Sequence, residues 1–104
     1  MVTNILLMKL TDKGIVDVKD SPKRVVDAMK LWESMGGKTI AVYMTMGDFD
    51  FVAIGEGPDD RAAAAFGLAL GATGTVRTSS LKAFGLEEAK QIVAALPRAA
   101  AVVA

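Results

Sequence analysis

Cysteine and histidine are both missing from this sequence of 104 residues. Without cysteine there is no disulfide framework, no thiolate nucleophile and no sulfur-ligated metal site. Without histidine, the commonest metal ligand and the usual proton shuttle near neutral pH are gone as well. A serine triad of the usual kind is therefore excluded, and only Lys9 or Lys82 could serve as base for Thr78, Ser79 or Ser80. Net charge is absent too: 12 Lys and Arg balance 12 Asp and Glu. No overall field draws the chain to nucleic acid or an anionic membrane, and neither is expected as a partner. Long apolar runs are lacking, since Ile5 to Met8 is too short for a signal or a membrane span. A cytoplasmic protein is the expectation.

No motif calls for a metal or a cofactor. Oxygen ligands would have to come from Asp48 and Asp50 or from Asp59 and Asp60, and the latter pair suits the start of a helix better. Gly71-x-x-Gly74 lacks the lysine of a phosphate loop and follows a helix instead of opening one. It reads as a cap and turn.

What is present is apolar surface: 52% of the residues are hydrophobic, enough for one domain with a core covered on more than one side. Thr3 to Leu10 is apolar on both parities and reads as a buried strand. Ser21-Pro22 opens a helix, serine as N-cap and proline at the first turn. Its stripe is Val25, Ala28, Met29, Trp32 and Met35, and Gly36-Gly37 ends it. A second helix follows Gly57-Pro-Asp-Asp60, with Ala62, Ala65, Phe66, Ala69 and Leu70 at helical spacing. Thr75 to Phe84 reads as a strand and Glu87 to Leu96 as a last helix before Pro97. The apolar tail Ala99 to Ala104 is expected to dock on the domain or on a neighbour.

Between the helices, Ile40 to Ile54 reads as a hairpin on a two-residue turn at Gly47-Asp48. That register sets Met46 opposite Phe49, Thr45 opposite Asp50, Met44 opposite Phe51 and Tyr43 opposite Val52. One face (Ile40, Val42, Met44, Met46, Phe49, Phe51, Ala53) is predicted to lie under helices, with Met29, Met35, Met44 and Met46 as adaptable core. The other carries Ala41, Tyr43, Thr45, Asp50, Val52 and Ile54. The order β-α-β-β-α-β plus a C-terminal helix predicts an α+β, ferredoxin-like antiparallel sheet with two helices on one face. Its other face would stay open and apolar, so a homodimer or higher homo-oligomer is expected, two sheets facing across a cavity.

Gly47-Asp48-Phe49-Asp50-Phe51-Val52, together with Asp20-Ser21-Pro22, Gly36-Gly37, Gly57-Pro-Asp-Asp60, Ala69-Leu-Gly71 and Val76 to Phe84, resembles the GYD-domain family. Phenylalanine stands where the signature tyrosine would be, so no role of that phenol applies. The resemblance runs to about Glu88, dividing the chain into a domain at 1–88 and a C-terminal helix and tail at 89–104. It implies a fold of the dimeric α+β barrel type and no established activity.

Asp50 is the sharpest candidate for chemistry, a carboxylate mid-strand among Phe49, Phe51 and Val52, where aspartate is disfavoured. In a semi-apolar cavity it would act as a general base. The structural alternative is a hydrogen-bond anchor to backbone amides, Thr45 or Arg77, and that reading is preferred. Tyr43 and Arg77 would hold a carbonyl and a carboxylate or enolate, or else pack at an interface and pair with Asp50 or Glu56. Tyr43, Thr45, Asp50 and Arg77 thus form the ligand-binding set. Three functions follow: a homo-oligomer binding a small, largely apolar metabolite between facing sheets, a cofactor-free monooxygenase or isomerase using Asp50, or an assembly unit without ligand.

Overall fold

The computed structural model describes residues 1–98. Strands β1 (Val2–Leu10), β2 (Lys38–Met44), β3 (Phe51–Gly57) and β4 (Val76–Ala83) form one sheet in the order β2-β3-β1-β4. Every pairing is antiparallel. Helices α1 (Asp12–Val16), α2 (Ser21–Ser34), α3 (Asp60–Ala72) and α4 (Leu86–Ala94), with a single 3-10 turn at Val18–Asp20, complete the described chain. The fold is α+β and ferredoxin-like, as the element order predicts. The apolar tail reading lies outside the described residues.

The core forms where α2 and α3 cover one sheet face. Leu6, Met8, Phe51 and Leu70 are its buried centre, with Val25, Ala28, Ala53, Phe66 and Val76 packed around them. Along β3 the helix-facing positions shrink from Phe51 and Ala53 to Gly55 and Gly57. Trp32 explains the taper. A Cβ on Gly57 would sit 2.5 Å from the Trp32 ring, one on Gly55 would sit 3.1 Å from its Nε1, and one on Gly37 would overlap the indole. The ring, 6% exposed, needs those glycines as a seat. It also meets Phe66 at 5.0 Å between centroids, tilted by 43°, a favoured aromatic geometry.

Several local expectations are corrected. Residues after β1 form the short helix α1, capped by Thr11, whose hydroxyl accepts from the Gly14 N–H at 3.1 Å. Ser21 does not cap α2; it is buried inside the first turn and donates to the Val18 carbonyl at 2.6 Å. The hairpin keeps its predicted register at Tyr43↔Val52 and Met44↔Phe51, and a backbone bond still joins Thr45 to Asp50. Met46 and Phe49 are not paired, however, and the chain from Met46 to Phe49 forms a wider loop in place of a two-residue turn. A bulge falls between Thr39 and Ala41. Met44 and Met46, predicted under helices, are 79% and 99% exposed. They lie at the end of an edge strand, beyond the cover of the helix layer, whereas Phe51 opposite Met44 is buried.

Candidate functional site

The loop is held by bonds from both sides. The Asp50 N–H donates to the Met8 carbonyl at 2.8 Å, and the Leu10 N–H donates to Asp50 Oδ2 at 2.7 Å. The carboxylate thus satisfies a β1 amide that β3 leaves behind as it turns away. Thr45 closes the other side: its N–H donates to the Asp50 carbonyl at 2.8 Å, and its Oγ1 to the Phe49 carbonyl at 2.6 Å. Asp50 and Thr45 are brought together as backbone clamps at the mouth of the hairpin.

Tyr43 and Arg77 lie apart from that clamp. Tyr43 sits on edge strand β2, 60% exposed. Arg77 is on β4, the opposite edge, paired with Lys9. Its Nη1 lies 3.9 Å from where a Cβ on Gly71 would be, so the side chain turns round the sheet edge towards α3. No ion pair joins Arg77 to Asp50 or Glu56 among the described residues. Among those residues there is also no group of three acidic side chains placed to hold a metal.

The pockets lie on the helix side. A cavity of about 50 Å³ beneath Trp32 and Phe66 is too small for a metabolite. A cleft of about 330 Å³ opens between α2 and the end of α3, lined by Met8, Leu10, Val25, Leu31 and Phe51, with Arg24 at its edge. Arg24 Nη1 is buried without a hydrogen-bond partner. Sequence reasoning passed over Arg24, although it lies one turn before Ala28 on the border of the apolar stripe.

Two larger surfaces remain. The sheet face turned away from the helices carries Ile5, Leu7, Val52 and Ile54, with Tyr43 on one edge strand and Leu81, 49% exposed, on the other. Helix α4 then projects from the end of β4. Its Leu86, Ile92, Val93 and the following Leu96 are 76%, 48%, 65% and 66% exposed. The spacing of Leu86, Ala89, Val93 and Leu96 was legible as one helical stripe, and nothing in the described chain covers it.

Fold and surfaces together define a small ferredoxin-like α+β domain with a half-buried apolar sheet face and an amphipathic helical arm. This chain belongs to the GYD domain family, whose model matches residues 5–93. A similar curated protein is the glutamine synthetase and cystathionine beta-lyase binding protein of Thermus thermophilus. It is 33% identical over 84 residues, 80% of this chain and 88% of the relative. No solved structure matches the chain. No helix among the described residues is long and apolar enough to cross a membrane.

Proposed function

We propose that the chain is a protein-binding module that works as a homo-oligomer, two copies meeting through their uncovered sheet faces. The observation that carries this is the half-buried apolar row Ile5, Leu7, Val52 and Ile54 on the sheet face opposite the core, away from α2 and α3 among the described residues. Burial of apolar area is the main drive of association, and each such side chain contributes about 1.5–3 kcal/mol when fully buried. The relative's name supports the protein-binding part, and makes glutamine synthetase and cystathionine beta-lyase the first partners to test. Immobilised protein should retain one or both purified enzymes from the same source. If neither enzyme is retained and the chain sediments as a monomer at about 100 µM, far above an affinity of about 1 µM, the reading is wrong.

A ligand reading is favoured by a different observation, the cleft of about 330 Å³ beside the unpartnered Arg24 Nη1. Its size reaches the low end of ligand pockets, about 300 Å³. A small apolar acid would occupy it with its carboxylate on Arg24, which places the ligand under the helices and not between sheets. Thermal shift with such acids, present for the wild type and lost in Arg24→Met, checks this. For Asp50 as a general base the geometry offers an Oδ2 already engaged by Leu10, with no contact to Tyr43 or Arg77.

A further inference from the structure

We infer that α4 is an exchanged arm: in the homo-oligomer each copy lays it against a second copy of this chain. The inference rests on the homo-oligomeric reading and adds to it the element that clasps the partner and the orientation of the pair.

The arm makes little use of its own domain. Every α4 residue except Ala89 is exposed, although the helix has the apolar stripe of one that packs. Only Phe84 and Gly85 separate β4 from α4, and the helix runs on outwards. The radius of gyration is 16.8 Å and the long axis 57 Å, against about 13 Å expected for the radius of a compact chain of this length. Such a stripe in water gains nothing for the monomer.

Area points to a second copy. Four strands about 4.8 Å apart and roughly 27 Å long give a sheet face of about 500 Å² in projection. A standard interface buries roughly 800 Å² per partner, so the sheet face alone is modest. A helix about 13 Å long and about 10 Å wide, laid across the partner, makes up much of the difference.

Charge fixes the orientation. Lys9 on β1 is in register with Arg77 on β4, and Arg77 carries its charge round that edge of the sheet towards α3, so this end of the sheet is cationic. Neither has a salt-bridge partner among the described residues. At the other end of the same face Lys38 already stands opposite Glu56. The arm opens with Glu87 and Glu88, of which only Glu87 is paired among the described residues, with Lys90 at 3.1 Å. A two-fold axis across the strands sets β4 over β4 in reverse, bringing Glu87 and Glu88 to Lys9 and Arg77 of the second copy. An axis along the strands would set β4 over β2 and bring them instead to Lys38, whose charge already faces Glu56. The first arrangement is the complementary one.

Sedimentation equilibrium of the full chain tests this with four variants. Ile54→Lys on the sheet face should leave a monomer. Glu87→Lys with Glu88→Lys should weaken dimerisation at least tenfold, as should truncation after Phe84. Adding Lys9→Glu and Arg77→Glu to the double variant should restore the dissociation constant to near wild type. That rescue separates a charge contact from simple damage to the start of α4, which a change on β1 and β4 cannot repair. If Ile54→Lys dissociates the dimer while the arm variants do not, or if the charge swap fails to rescue, arm exchange is wrong and the sheet-face dimer stands. A wild-type monomer at every concentration overturns both.

Discussion

At Asp50 one carboxylate decides how the hairpin ends. A strand amide left unpaired and part-buried costs about 1–3 kcal/mol, and the 2.7 Å bond from Leu10 removes that cost. Asp50→Ala should therefore destabilise the fold by about 1–3 kcal/mol, measured by urea unfolding. Asp50→Asn keeps an acceptor and should lose markedly less. Equal losses would mean that the charge, and not the acceptor, matters. Trp32 makes the converse point. Gly57→Ala would bring a methyl 2.5 Å from its ring, and overpacking of this kind costs about 1–3 kcal/mol. Adding Trp32→Phe frees the seat, so the double variant should be more stable than the sum of the single losses. Additive losses would show that the ring shifts without strain. The sequence displayed an aspartate out of place and a tryptophan on a helix stripe. It could not display what each touches, because both partners come from distant strands.

The elements were legible wherever periodicity or capping chemistry is local. Asp59 accepts from the Ala62 N–H at 2.9 Å, as Gly-Pro-Asp-Asp suggests, whereas Asp20 before α2 makes no side-chain cap bond. Asp59→Ala should then cost about 1 kcal/mol, and Asp20→Ala less than about 0.5 kcal/mol. Thermal unfolding of the pair distinguishes them, and equal effects would sink this account of the caps. The hairpin register was also legible, since alternation in β2 and β3 has period two. Its turn was not. Gly47-Asp48 suits a tight turn locally, but the bonds from Asp50 to Met8 and Leu10 pull the start of β3 towards β1. A long-range contact thereby widened the loop and left Met44 and Met46 in the open. The candidate set divided for the same reason: Tyr43 and Arg77 share a sheet, but the order β2-β3-β1-β4 puts them on opposite edges.

For the whole molecule, the balance of buried and bare surface carries the functional argument. Among the described residues only Leu6, Met8, Trp32, Phe51 and Leu70 are buried hydrophobic side chains, while α4 and the edges of the open face keep theirs in water. On the proposed homo-oligomeric reading, a chain with 52% hydrophobic residues and so few of them buried alone would draw stability from association. Mass action then makes that stability depend on concentration. Each tenfold rise in protein contributes about 1.4 kcal/mol to a dimer, which for a cooperative unit of this size raises Tm by roughly 3–6 °C. Calorimetry over a hundredfold range should show that slope for the wild type and a flat line, at lower Tm, for Ile54→Lys. A flat line for the wild type would mean that the monomer is stable by itself, and the sheet face would then have to be explained without a second copy.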